Sequence, residues 1–331
     1  IPEVLAKAFY IAKSGRPGPV LIDITKNAQL QLDEFPEYVK CNHIRSYRPK
    51  PKVRIEYIEQ AAKLINEAKK PFVLFGQGVI LGSAEAEFKA FIEKSGIPAA
   101  WTIMGEGAIP TDHPLNVGML GMHGNYGPNV LTNECDVLIA IGMRFDDRVT
   151  GRLDKYAKQA KVIHLDIDPA EIDKNVKADV GVWGDCKETL PLLTNLVNEN
   201  KHEDWLAKFR DYNQQEIDQV ITPELYPAGE EMTMGEVLRN INEICGGDAV
   251  IVTDVGQHQM VACRYAKMNQ SKSNISTPRN GRLFRKRLQK KWFYCHLATK
   301  MILMPRISSL TGLLSNIANL RMFPIMGMAL S

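Results

Sequence analysis

Between residues 72 and 182 the chain alternates short apolar runs with segments of helical periodicity, a pattern that few folds accommodate. The runs at 72–75, 99–102, 137–141, 162–167 and 180–182 read as strands. Residues 56–68 place Ile58, Ala61, Ala62, Leu64, Ile65 and Ala68 at helical spacing. Residues 84–95 and 187–199 read as further helices, and 129–133 as helical structure at the end of a Gly- and His-containing connection, 105–129. Apolar strands separated by helices predict an α/β fold, a doubly wound parallel sheet. Ligands of such a sheet sit in the crevice beyond the carboxyl ends of its strands.

The flanks read as parts of further α/β units. Residues 3–13 suggest a helix, 15–19 a Gly-Arg-Pro-Gly-Pro turn in which proline fixes φ and glycine permits tight geometry, and 20–24 a strand. That strand needs sheet neighbours that the preceding sequence does not supply. Residues 36–52 carry Pro36, Pro49 and Pro51 and read as an extended linker. After a polar stretch, 200–231, that begins with a helix at 203–215, residues 234–244 predict a helix, 249–253 a strand and 254–260 its exit loop. The expected organisation is a closing piece at 1–35, a linker at 36–52, a central domain at 53–225, the start of another domain at 226–275, and a tail at 276–331. The Ile1-Pro-Glu start, without an initiating Met, suggests a fragment or a processed start.

The formal charge of +3 hides a division. Residues 1–254 hold 28 basic and 38 acidic side chains, whereas the 77 residues after Asp254 hold 13 basic and no acidic ones. Residues 279–291 contain most of that excess, and 292–331 are rich in Met and Leu without the strand and helix alternation. The basic run admits a nucleic-acid or a membrane reading, but no zinc-finger spacing or RNA-binding module strengthens the first. No 18-residue apolar run predicts a membrane span, and no secretory signal opens the chain. Six cysteines without a CxxC pair suggest reduced, structural thiols, so a cytoplasmic, enzyme-like protein is expected.

The strand exits hold the candidate site residues. They are Gly76-Gln77-Gly78, Thr102-Ile103, the run from Gly142 to Arg148, Asp166-Ile167-Asp168-Pro169, and Gly184-Asp185. Glycine allows close approach of a cofactor, arginine neutralises pyrophosphate, and carboxylates accept ribose hydroxyls. Each signal has a plain structural alternative: the Arg-Asp-Asp-Arg cluster can form surface ion pairs, His123 can be structural, and His258 can cap local structure. Gly-Gln-Gly is also shorter than the dinucleotide fingerprint. Glu106 and His113 remain ambiguous.

Four longer stretches are specific: Ser-Gly-Arg-Pro-Gly-Pro-Val-Leu-Ile-Asp-Ile at 14–24, Leu-Gly-Met-His-Gly at 120–124, Gly-Met-Arg-Phe-Asp-Asp-Arg-Val-Thr-Gly at 142–151, and Val-Gly-Gln-His-Gln-Met at 255–260. Over roughly residues 1–275 the chain resembles the catalytic subunit of acetohydroxyacid synthase, also called acetolactate synthase. The resemblance implies three α/β domains: one binding the thiamine pyrimidine, a central one associated with FAD, and one binding the diphosphate through a divalent metal. Residues 1–35 would be the end of the first domain and 226–275 the beginning of the third. Partial thiamine-diphosphate-binding domains would thus flank the central sheet.

By this resemblance the FAD environment comprises Arg16, Gly76, Gly78, Thr102, Ile103, Leu120, Met122, His123, Gly142, Arg144, Asp146, Arg148, Val149, Asp166, Ile167, Gly184 and Asp185. Lys26, Met122, Asp147 and Arg148 would approach the substrate side of the cleft. Gly256, Gln257, His258, Gln259 and Met260 would belong to the thiamine diphosphate site. The family decarboxylates pyruvate and adds the two-carbon unit to pyruvate or 2-oxobutyrate, beginning branched-chain amino acid biosynthesis. FAD is structural there, magnesium holds the diphosphate, and a homodimer with a regulatory small subunit is implied.

The match also has departures. The family's activating Glu lies before this sequence, and neither the Gly-Asp-Gly metal motif nor any later carboxylate follows Asp254. Magnesium prefers oxygen ligands, commonly carboxylates. The isolated chain is therefore expected to be inactive, with an FAD-binding or oligomer-forming remnant as the alternative. The abrupt change at 277–280 suggests a frameshifted, misassembled or degenerate gene product.

Overall fold

In the computed structural model the described residues are 1–269, apart from 33, 35, 36, 230, 231, 247, 248, 254 and 255, together with two strands at Asn274–Ser276 and Met301–Met304. Asp254, Val255, the run 279–291 and nearly all of the tail lie outside them.

Six parallel strands form the main sheet: β1 Pro71–Phe75, β2 Ala99–Trp101, β3 Asn116–Met119, β4 Val137–Ile141, β5 Lys161–Asp166 and β6 Val180–Trp183. Their spatial order is β3-β2-β1-β4-β5-β6. All residues of β1 and β4 are buried because helices cover both faces, which is why their sequences are continuously apolar.

The two-residue period survives beneath that continuity. Val73, Phe75, Ile139 and Ile141 face the helices Ile55–Glu67, Glu85–Ser95 and Cys186–Leu196, meeting Ile58, Phe88, Phe91 and Leu190. Phe72, Leu74, Leu138 and Ala140 face the other layer, where Leu131, Trp205, Leu206 and Phe209 close the core. Full burial of Phe88 or Phe209 contributes about 1.5–3 kcal/mol of transfer free energy.

Three sequence expectations change. Residues 20–24 are not a strand: among the described residues none pairs with them, and Leu21 stays 94% exposed. An apolar run becomes a strand only where a neighbouring edge satisfies its backbone. Within 105–129 the structure adds β3, whose Asn116 and Gly118 obscure the apolar signal of Val117 and Met119. Finally, 257–260 do not form an exit loop but open the helix Gln257–Tyr265.

A second sheet is built on β7, Val250–Thr253. It pairs in parallel with β8, Asn274–Ser276, and antiparallel with β9, Met301–Met304. Its packing partners include Leu238 and Ile241 of the helix Met234–Cys245 and Ala262 of Gln257–Tyr265. Among the described residues, the cysteines at 41, 135, 186, 245 and 263 form no disulfide with one another, and no helix is long and apolar enough to cross a membrane.

The Leu21 result is testable by urea unfolding of the chain. Leu21→Ser should change stability by no more than about 0.5 kcal/mol, whereas Phe88→Ala should cost about 3–5 kcal/mol. A loss for Leu21→Ser comparable to that of the core variant would contradict the exposed placement.

Candidate functional site

The order of the main sheet reverses between β1 and β4, so their carboxyl ends diverge into a crevice. The two exit loops interlock across it. Gly76 N donates to Ile141 O at 3.0 Å, and Gly78 N donates to Gly142 O at 2.7 Å. A Cβ on Gly78 would lie 2.5 Å from Gly142 Cα, while Gly142 itself has φ +57°, a conformation that favours glycine. Backbone therefore packs on backbone, leaving a floor without side chains.

Above this floor lies a cavity of about 800 Å³. From the sequence-derived FAD set, Gly78, Thr102, Ile103, Gly142 and Arg144 line it from the β1, β2 and β4 exits. Leu120, Met122 and His123 form a second wall, with Asp146, Arg148 and Val149 nearby. Asp166, Ile167 and Asp185 enter from the β5 and β6 ends, and Arg16 from the amino-terminal segment. Gln259 and Met260 line it from the helix Gln257–Tyr265.

Of the residues that the resemblance assigns to the site, Lys26, Gly76, Asp147, Gly184, Gly256, Gln257 and His258 are not in the lining. A Cβ on Gly76 would meet Met143 Cβ at 2.6 Å, and one on Gly184 would meet Thr189 Cγ2 at 2.4 Å, so both glycines serve internal packing. Lys26 opens the short helix Lys26–Leu30, and Asp147 opens Asp147–Thr150 on an exposed turn. Gly256 packs against the His258 ring, while Gln257 begins the helix.

The loop from Gly142 to Val149 is held from beneath. His164 is fully buried on β5, and its Nε2 donates to Met143 O at 2.8 Å. Phe145 packs edge-on to both His164 and Tyr156, and Asn175 Nδ2 donates to Phe145 O at 2.6 Å. Asp146 accepts from Arg148 N at 3.1 Å, capping Asp147–Thr150, and pairs with Arg144 at 3.4 Å. Among the described residues, Asp147 and Arg148 of the charged motif have no ion-pair partner, and of the two it is Arg148 that lines the cavity. Its backbone O accepts from Met122 N at 2.7 Å, joining this loop to the second wall.

Charge is unevenly committed elsewhere. Arg16 Nη1 donates to Asp168 Oδ2 at 2.8 Å and to Glu171 Oε1 at 2.5 Å. Burial works against ionisation of all three, but these hydrogen bonds outweigh it, raising the arginine pKa and lowering both carboxylates. Asp185 accepts from Lys187 N at 3.0 Å as a helix cap and pairs with Lys50 at 3.2 Å. Asp166 shifts the other way: burial raises its pKa despite the hydrogen bond from Asp168 N. Burial, with Asp166 and Asp185 nearby, pushes the Cys186 thiol up to about 12.

A glycine floor, an uncommitted arginine and methionine-rich walls suit a flat, elongated anion-bearing cofactor. Among the described residues, no group of three or more His, Cys, Asp or Glu side chains is arranged to hold a metal ion.

Residues 58–193 match the family described as "Thiamine pyrophosphate enzyme, central domain", which sets the class of the sheet that bears this cavity. The chain is 40% identical over 291 residues to the probable acetolactate synthase large subunit of Methanocaldococcus jannaschii, covering 84% of this chain and 48% of that protein. It is also 40% identical over 290 residues to the acetolactate synthase large subunit of Corynebacterium glutamicum, covering 84% and 44%. Against acetolactate synthase 1, chloroplastic, of Nicotiana tabacum, identity is 38% over 281 residues, covering 84% and 42%. The chain belongs to the acetolactate synthase large-subunit family. It spans about half the length of the curated relatives it matches.

Two outcomes follow from the site's packing and charge. Gly78→Ala should cost about 1–3 kcal/mol by thermal unfolding, because the colliding atoms are backbone; an unchanged midpoint would contradict the interlock. Glu171→Gln should be less stable than the parent at pH 7. A carboxylate whose folded pKa is lowered stabilises above its unfolded value and loses that contribution as pH falls through the folded one. The difference should therefore narrow below about pH 4. A pH-independent difference would rule out the ion pair as its source.

Proposed function

We propose that the cavity is an FAD site and that the intact enzyme is an acetolactate synthase. It would condense two pyruvates to 2-acetolactate with release of CO2, or pyruvate with 2-oxobutyrate, in branched-chain amino acid biosynthesis. The observation that carries the cofactor reading is the side-chain-free Gly78–Gly142 floor beside Arg148, which lacks a carboxylate partner among the described residues.

In this reading Arg148 and Arg144 neutralise the FAD diphosphate, and the backbone at Gly78 and Gly142 approaches it closely. Asp166, at the end of β5, hydrogen-bonds a sugar hydroxyl, as the acidic residue of a dinucleotide fold does. Ile103, Leu120 and Met122 give the apolar wall against which a ring can pack. Thiamine diphosphate, when bound, supplies the electron sink for decarboxylation. This chain's contribution to it would be Gln259 and Met260, which share the cavity with the FAD set. In the same reading Met122 and Arg148, both in the cavity lining, would offer a 2-oxo acid carboxylate a cation beside apolar surface. A homodimer and a regulatory small subunit belong to the same proposal.

No step is assigned to magnesium, since the described residues offer no metal-holding group and no Asp or Glu follows Asp254. That favours a second proposal for the 331-residue chain itself: flavin binding without synthase turnover.

Titrating the purified chain with FAD and assaying it with pyruvate, thiamine diphosphate and magnesium tests both proposals. FAD should bind, Arg148→Gln should weaken it by roughly tenfold or more, and no acetolactate should form. Failure to bind FAD would reject the cofactor reading; acetolactate formation would reject inactivity.

A further inference from the structure

Glu216 is only 5% exposed, yet neither the main sheet nor the cofactor reading accounts for it. It ends the helix Glu203–Glu216, where the winding widens into the π-helical turn Ile217–Ile221. Its two carboxylate oxygens serve different parts of the fold. Oε2 accepts from Tyr126 N at 2.9 Å and from Asn125 Nδ2 at 3.2 Å. Oε1 accepts from Arg264 Nη2.

Each connection leads to a cavity wall. Asn125 exchanges hydrogen bonds with Met119, through its backbone N at 2.7 Å and its side-chain Oδ1 at 2.8 Å. The Met119–Asn125 pairing closes the loop that presents Leu120, Met122 and His123 to the cavity. On the other side, Arg264 lies four residues after Met260 on Gln257–Tyr265, so the two share a helix face. Met260 and the adjacent Gln259 line the opposite wall.

We propose that Glu216 is a positioning residue: a buried carboxylate that couples the loop wall to the Gln259–Met260 wall and so sets the opening between them. Removing one partner of a buried ion pair leaves the other charge desolvated and uncompensated, so the link is stiff against separation. The exit from the same helix is restrained separately, by Met268 N donating to Thr111 Oγ1 at 2.8 Å and Thr111 N donating to Met268 O at 3.1 Å. Loss of the Glu216 link should therefore loosen the cavity end of the helix without detaching the helix as a whole. The geometric proposal stands on these contacts, while its effect on a ligand rests on the FAD reading.

Native-state hydrogen exchange on the full chain, without ligand, tests the geometry. Glu216→Gln keeps an acceptor for Tyr126 N but removes the charge opposite Arg264. Exchange at 261–265 and at 121–126 should accelerate at least about tenfold, with β4 and β5 unchanged. Arg264→Met should reproduce this pattern, and the double variant should add little to either single one. Arg264→Met also carries the comparison if Glu216→Gln does not fold, because Glu216 then keeps its hydrogen bonds from Tyr126 N and Asn125 Nδ2.

Unchanged exchange at 261–265, a uniform increase through β4 and β5, or additive single effects would overturn the link. FAD titration of the same proteins separates the two ideas. The expected selective pattern with no FAD binding by the parent would retain the link and reject the cofactor. FAD binding by the parent, with exchange unaffected in the variants, would reject the link and retain the cofactor.

Discussion

The 2.7 Å hydrogen bond from Gly78 N to Gly142 O joins the loops on either side of the strand-order reversal. A side chain at either position would force those loops apart, because its first carbon would meet backbone rather than a movable side chain. The sheet beneath fixes the separation, since β1 and β4 pair along their full lengths from Pro71↔Val137 to Phe75↔Ile141. The cavity is thus a consequence of parallel pairing and glycine geometry before any polar side chain takes part.

Charge then attaches the flanking segments to this rigid centre. Arg16 fastens the amino-terminal segment to the β5 exit through Asp168 and Glu171, and Lys50 fastens the linker to Asp185 and Glu188. The exposed pairs on the surface contribute little. Glu171 and Glu216 differ because their carboxylates are buried, so each holds its segment at a fixed place. Arg148 stands apart from these pairings among the described residues and leaves the cavity with an uncommitted positive charge.

The strands with continuous apolar sequence were the easiest part to read, because burial on both faces removes the polar alternation of a half-exposed strand. β3 was obscured for the opposite reason: Asn116 and Gly118 are needed at the turn and loop contacts, leaving Val117 and Met119 as the apolar residues. Residues 20–24 have strand composition but no neighbouring edge among the described residues, a tertiary condition that local sequence does not encode. Glycine proved an ambiguous signal: Gly78 and Gly142 line the cavity, whereas Gly76 and Gly184 relieve packing against Met143 and Thr189. Glu216 left no local signal, being one acidic residue in a polar helix. Its partners are 90 and 48 residues away in sequence.

In the proposed reading the interlocked loops form a dinucleotide site and not merely a packing defect. A crystal structure of the chain grown with FAD tests it most directly. Density for the diphosphate is expected over Gly78 and Gly142 within reach of Arg148, with flavin density against the Leu120–Met122 wall. FAD bound elsewhere, or a cavity without FAD under saturating conditions, would contradict it.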